Sequence, residues 1–379
     1  MDDFDEAEYV ERLRAWLDER AGSAPKRSVL APQDEVAITA RRAWQRELAD
    51  AGYLGVTWPE RHGGAGGVPA QRILVERELD ARGIAGGLDF VGLDMIGPTI
   101  LACGTPEQCE RYLPPLLRAE EVWCQLLSEP GAGSDLAAVQ TRARRADDGS
   151  WVIDGQKVWT SFARHAAFGI MLARTDPDVP RHKGLTVFLV PMDSAGITIR
   201  PLRQITGDAE FNEVFLDGLV LPDAARLGGP GEGWKVAVTM LSFERLAVGS
   251  GHLSTPVEEL VAAVAPARQD PRVRVRLGQV ASDLLALHGT SARLMEEIAS
   301  GRVPGPEAGL VKITSVLSSL AACRLAADVG GPGALLQPLW GNQISALPGV
   351  RSAGGTEEII RNQVGERVLG LPPEPRAST

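Results

Sequence analysis

The residues with the clearest capacity for chemistry lie in one stretch, Trp123-Cys-Gln-Leu-Leu-Ser-Glu-Pro-Gly-Ala-Gly-Ser-Asp-Leu136. Pro130, Gly131 and Gly133 force a tight loop whose backbone N–H groups can face an anion, and Ser128 and Ser134 add hydroxyl donors on either side. Such a loop suits a phosphorylated cofactor rich in hydrogen-bonding groups, although a polar loop joining a helix to a sheet accounts for the same residues. A Rossmann-type dinucleotide site is disfavoured, because Gly131-x-Gly133 has no third glycine and follows no β-like run. Cys103, Cys109, Cys124 and Cys323 form no Cys-x-x-Cys pair, and the five histidines are dispersed, so neither a disulfide framework nor a metal site is indicated. Redox chemistry here calls for an organic cofactor.

The elements that must position this loop belong to a chain of 379 residues, 44% hydrophobic and 23% charged, which predicts a globular protein of two or three domains. A net charge of -10 argues against broad binding to nucleic acid or an anionic membrane. The apolar runs stop short of a bilayer span, and the acidic start, Met1 to Glu6, is unlike a secretory signal, so a cytoplasmic location is expected.

Apolar residues recur at helical spacing through Tyr9, Leu13, Trp16, Leu17, Trp44 and Leu48, which predicts an α-helical domain over residues 1–118, broken by a glycine-rich loop at Trp58 to Gly67. Short β-like runs follow at Trp151 to Trp159, Gly169 to Leu172, Leu185 to Val190, Ile197 to Ile199 and Val214 to Leu216, which predicts a β-domain over 119–225. Asp154-Gly155 within the first run carries a two-residue hairpin signal. Helical periodicity resumes at Trp234, Val238, Leu241 and Leu246 and continues through Val273 to Met295 and Ala308 to Val329, which predicts a helical bundle over 226–379. The expected class is α+β, in the order helical bundle, β-domain, helical bundle.

The stretch at Ser128 to Asp135 resembles the flavin loop of the acyl-CoA dehydrogenase family, S/T-E-P-G-A-G-S-D. Gly155-Gln-Lys-Val-Trp-Thr-Ser161 is similar to that family's second motif, and Gly354-Gly-Thr-Glu-Glu-Ile359 with Arg367 to Pro372 is similar to its third. Gly207 to Leu216 resembles a strand-bearing segment of actinobacterial members. The resemblance spans about residues 44 to 372 and implies FAD as cofactor, held along Gln125, Leu126, Leu127, Ser128, Gly133 and Ser134. It also implies that Trp159 and Thr160 lie against the ring, that the Ser161 hydroxyl reaches flavin N5, and that Thr356 and Glu358 lie near the phosphates or adenine ribose. Each role has a physical rationale, since the ring's polar edges need donors and hydride transfer benefits from excluded water. Read alone, Trp159 would be a core aromatic on a strand, and Ser128 and Ser161 ordinary turn hydroxyls.

One departure from the family bears on the chemistry. In many members the base is a glutamate directly before Gly-Thr in the third motif, and here that position is Gly354. Removing the α-hydrogen of an acyl thioester as a proton, while the β-hydrogen leaves as hydride, needs a carboxylate. Other members, isovaleryl-CoA dehydrogenase among them, place it on an earlier helix before an arginine, which corresponds here to Glu244-Arg245. Glu244 is therefore expected as base, and the Gly354 N–H, with a ribityl hydroxyl, as donor to the thioester oxygen. Ser134, Phe243, Arg245 and Gly355 are expected along the substrate. A solvated Glu-Arg pair is the plainer reading of Glu244. Glu357 and Glu358 are rival bases, but Thr356 followed by two acids reads more simply as a helix N-cap and first turn. Phe162 stands where relatives usually have glycine and is expected to narrow the pocket.

The resemblance implies dehydrogenation of an acyl-CoA, or of a carrier-protein thioester, to the trans-2-enoyl product, with electrons passed to an electron-transfer flavoprotein. It also implies a homo-oligomer, a dimer-based tetramer. The alternatives are a flavin enzyme of secondary metabolism and a non-catalytic subunit of a heterotetramer with a homologue.

Overall fold

The computed structural model describes residues 4–26, 34–249, 257–300 and 305–373. Local signals start the N-terminal helices. The Asp5 carboxylate accepts the Glu8 N–H at the head of α1 (Glu6–Arg20), and Asp34 does the same for Ala37 at the head of α2 (Glu35–Asp50). After α3 (Pro69–Ala81), a π-helical turn at Gly92–Ile96 leads into α4 (Gly97–Cys103). α5 (Pro106–Leu117) begins with a Thr105/Gln108 capping box and Pro106 in its first turn. Leu13, Leu17, Trp44 and Leu48, at helical spacing, are buried together with Tyr9 and Tyr53.

Eight strands follow: β1 (Trp123–Leu126), β2 (Arg142–Arg145), β3 (Trp151–Ser161), β4 (Phe168–Arg174), β5 (Leu185–Pro191), β6 (Ile197–Pro201), β7 (Phe211–Leu221) and β8 (Arg226–Leu227). They form one sheet in the order β6-β7-β3-β2-β4-β5-β8, with β1 parallel to β4. The unbroken apolar runs of β4 and β5 arise because both faces are covered. Ile170, Leu172, Leu185, Val187 and Leu189 enter a core shared with Ile96, Ile100, Leu113 and Leu116 of the helices. Met171, Ala173, Phe188 and Val190 enter a second core with Trp151, Ile153 and Val214. The helical and β segments are consequently parts of one compact unit, made of the chain up to Gln204 and Asp208–Phe243. The buried Asp89 carboxylate joins them, accepting the Gly92 N–H at 2.7 Å and the Trp123 N–H at 2.8 Å.

The hairpin expected at Asp154-Gly155 is absent. Both residues lie inside β3, which pairs with β7 along its length through two register shifts. Glycine is needed at 155 for close approach, since a Cβ there would sit 2.5 Å from Thr141 Oγ1. Asp154 instead accepts the Gly218 N–H at 2.8 Å.

The second compact unit comprises Ile205–Gly207 and the chain from Glu244 onward. It holds α7 (Val257–Val264), α8 (Pro271–Ala299), α9 (Ala308–Gly330), α10 (Pro332–Leu335), α11 (Pro338–Ser352) and α12 (Glu357–Arg367), while α6 (Gly233–Gly249) crosses the division. Among the described side chains of α6, Val236, Ala237 and Met240 are buried, Trp234 and Leu241 of the expected stripe pack against the same core, and Val238 is exposed. α9 meets the length and composition of a membrane span, contrary to expectation. Its apolar residues serve the bundle: Val311, Ala322, Cys323, Leu325 and Ala326 are buried with Leu284, Leu287, Trp340 and Leu347.

Candidate active site

In the first unit the glycine loop leaves the end of β1. Gln125 is half-buried, with its amide 3.8 Å from Met95 Sδ. Leu126 and Leu127 send their side chains into the two cores, so only their backbone groups are open to a ligand. Glu129 and Ala132 exchange N–H···O bonds of 3.0 Å, closing a tight turn. Beyond it Gly133 and Ser134 are exposed, and nothing lies within 4 Å of a Cβ added at Gly131 or Gly133.

A buried ion pair fastens this loop to the sheet. Lys157, 0% exposed, donates to the Leu127 carbonyl at 3.0 Å, the Leu172 carbonyl at 2.7 Å and Glu129 Oε1 at 2.8 Å. Glu129 also accepts the N–H groups of Gln140 at 2.6 Å and Thr141 at 2.8 Å. Burial opposes the charge of Glu129, but Lys157 and the surrounding donors outweigh it and hold the carboxyl below its ordinary range. Burial draws the Lys157 ammonium down. A third tie is the Val158 N–H, which donates to the Ser128 carbonyl at 2.9 Å. The first two motifs are thus one structure.

The β3–β7 pairing shifts between Lys157 and Thr160, and the bulge turns Trp159 out of the sheet. Trp159 takes the left-handed conformation, φ 61°, and is 60% exposed, edge-on to Phe211 with centroids 5.9 Å apart. A non-glycine residue held there is uncommon and costs free energy. Thr160 is buried, its carbonyl accepts the Asn212 amide at 2.9 Å, and its Oγ1 has no hydrogen-bond partner. Ser128 and Ser161 are half-buried. An exposed aromatic face beside hydroxyl donors, with an open glycine loop tied to the same strand, fits the chemistry of a flavin, which presents a flat ring with polar edges and a phosphorylated tail.

In the second unit Gly354 and Gly355 both have positive φ, 63° and 95°, a run that favours glycine. A side chain at 354 would begin 3.0 Å from Glu244 Oε1 and 3.7 Å from its Cδ. Glu244 is half-buried, so its carboxylate occupies the space into which a residue at 354 would project. Lys312 of α9 donates to the Gly355 carbonyl at 2.9 Å and to the Arg351 carbonyl at 2.7 Å. Thr356 caps α12, accepting the Ile359 N–H at 3.3 Å.

Glu357 is buried between Arg361 and Arg351, at 2.7 and 2.8 Å, and those guanidiniums hold its carboxyl below the ordinary range. It is a structural ion pair rather than a rival base. Glu358 is exposed, with an oxygen 3.8 Å from Arg351. Phe243 is half-buried on α6, and the Arg245 side chain lies outside the described residues. Phe162 differs from expectation. It is buried with Ile38, Leu88 and Val122, and its φ of 59° explains why glycine would suit the position. Glu129, Lys157, Asn212 and Lys312 went unassigned from sequence. The first two stood inside the quoted motifs, and Lys312 is one of three charges in an otherwise apolar helix.

Family models described as the acyl-CoA dehydrogenase N-terminal, middle and C-terminal domains match residues 5–120, 124–219 and 231–369. The chain is 43% identical over 364 residues to acyl-CoA dehydrogenase FadE34 of Mycobacterium tuberculosis, covering 95% of this chain and 50% of that protein. It is 39% identical over 383 residues to acyl-CoA dehydrogenase IpdE1 of the same organism, covering 98% of this chain and 99% of that one. It thus spans half the length of the first relative and nearly all of the second. Among solved structures, the Tcur3481-Tcur3483 steroid ACAD superimposes with a TM-score of 0.82 at 28% identity, covering 99% of this chain and 100% of that one. With three domain matches in order and one relative, at 39% identity, aligned almost end to end, the chain belongs to the acyl-CoA dehydrogenase family of FAD-dependent oxidoreductases.

Proposed function

We propose that the chain dehydrogenates a bulky acyl-CoA to the trans-2-enoyl thioester, with Glu244 as the base that takes the α-proton. The observation carrying this reading is the 3.0 Å between Glu244 Oε1 and the point where a side chain at 354 would begin. The third motif lacks its usual glutamate, and a carboxylate from another helix stands in the same space. Glu244 is half-buried and carries the carboxylate that the proton transfer needs. The Gly354 N–H would donate to the thioester oxygen, favouring the enolate and so acidifying the α-hydrogen.

FAD, when bound, supplies the hydride acceptor. Ser128, Ser134, Trp159 and Ser161 would hold it, through hydroxyl donors and an aromatic face kept outside the sheet by the bulge. The Glu129–Lys157 pair fixes the loop and strand that carry them.

One fact supports a bulky substrate. The neighbour with 28% identity is described as a steroid ACAD. The family also makes an electron-transfer flavoprotein the proposed acceptor. The ChsE4-ChsE5 complex from Mycobacterium tuberculosis, at 25% identity and a TM-score of 0.79, supports assembly with a second chain.

Anaerobic titration of the flavin-loaded protein with straight-chain, branched and steroid-linked acyl-CoAs tests the proposal. Loss of flavin absorbance with the bulky thioesters is expected. Bleaching by short straight chains alone would refute the substrate class, and no bleaching by any thioester would refute the reaction.

A further inference from the structure

Lys312 is 5% exposed, in the first turns of the helix that forms the centre of the second unit's bundle. A buried ammonium is costly unless its hydrogens find acceptors. Its two acceptors are the carbonyls of Arg351 and Gly355. They bracket the turn that ends α11, and Gly354 lies between them. Two consecutive glycines with positive φ give that turn many accessible conformations. One ammonium, anchored on a packed helix, restricts it to the conformation in which Gly354 faces Glu244.

We propose that Lys312 is a positioning residue for the reaction: it fixes the Gly354–Gly355 turn against Glu244, and its positive charge keeps the Glu244 carboxylate ionised and ready to accept the α-proton. The inference rests on Glu244 being the base. The charged groups around Lys312 are Glu244 on α6, Arg351 on α11 and Glu357 and Glu358 on α12. Glu357 is already committed to Arg351 and Arg361. Burial pulls the Lys312 ammonium below its ordinary range, and Glu244 is the foremost carboxylate opposing that pull. The sign for Glu244 follows: a nearby positive charge favours its ionised form, so removing that charge raises the pH at which it becomes a competent base.

The test compares Lys312→Met, Lys312→Gln and Lys312→Arg as flavin-loaded proteins, by kcat, KM and the pH dependence of kcat/KM for acyl-CoA oxidation. Lys312→Met should lower kcat about tenfold to a hundredfold with a smaller change in KM. It should also move the acid limb of the profile up by about one pH unit, which is about a tenfold loss of rate below the limb. Lys312→Gln, which keeps a donor without the charge, should show the same displaced limb, and Lys312→Arg should restore it. If Lys312→Met fails to fold, the Gln and Arg variants decide by the limb alone. An acid limb that stays in place when the charge is lost, or that moves equally in the Arg variant, overturns the proposal. Failure of the underlying reading is separately visible, because Glu244→Gln would then retain the rate of flavin reduction.

Discussion

Glu244→Gln should keep its flavin and its fold, yet reduce that flavin with acyl-CoA about 10²- to 10⁴-fold more slowly, the range expected for losing a positioned general base. Glutamine preserves the shape of the side chain and removes only its capacity to take a proton. The two rival carboxylates of the third motif are otherwise placed. Glu357 is held between two arginines, and Glu358 is exposed in the first turn of α12. The 3.0 Å approach to position 354 makes the claim specific, since it puts the Glu244 carboxylate beside the N–H proposed to polarise the thioester. Stopped-flow measurement of flavin absorbance under anaerobic conditions reads the rate directly. A variant within a factor of a few of the parent would assign proton removal elsewhere.

Lys157→Met should destabilise the first unit by about 3–5 kcal/mol, the cost of leaving one member of a buried pair without its partner. The methionine fills the space, but Glu129 then keeps a buried charge with only the Gln140 and Thr141 N–H groups to satisfy it. The carbonyls of Leu127 and Leu172 also lose their donor. Because Lys157 is fully buried, solvent screening does little to soften the loss. Replacing both partners, Glu129→Met with Lys157→Met, should recover a substantial part of the stability, since a neutral pair carries no stranded charge. The urea midpoints of the two variants check this. Equal midpoints for Lys157→Met and the parent would mean that the pair contributes little. The single variant should also bind flavin more weakly, because the loop bearing Ser128 and the strand bearing Trp159 are joined through this pair.

The architecture was largely legible because its signals are local. Alternating and continuous apolar runs gave β4 and β5, and helical spacing gave α1, α2, α8 and α9. Asp154-Gly155 misled because the same dipeptide serves a tight turn or a strand passing close to Thr141, and only the neighbouring strand distinguishes them. On α6, Trp234 and Leu241 of the expected stripe pack against the core, but Val238 does not, because Val238 and Val236 are equally apolar and tertiary packing decides which is buried. Within the candidate site, the glycines and hydroxyls were readable from their chemistry. The buried ions were not. A lysine in a strand or an apolar helix reads as exposed, and nothing in a single sequence indicates that Lys157 and Lys312 each find backbone carbonyls in place of water. Glu244 was legible only through family resemblance and the glycine at 354, since a glutamate followed by arginine on a helix is ordinarily a surface pair.

The account depends on Glu244 removing an α-proton, and that step can be observed apart from hydride transfer. The flavin-loaded protein is incubated in D₂O with an acyl-CoA analogue that can enolise but cannot be oxidised, and deuterium entering the α-carbon is followed by mass spectrometry. The account predicts incorporation by the parent protein and none above the uncatalysed rate with Glu244→Gln. Equal incorporation by both proteins would contradict it.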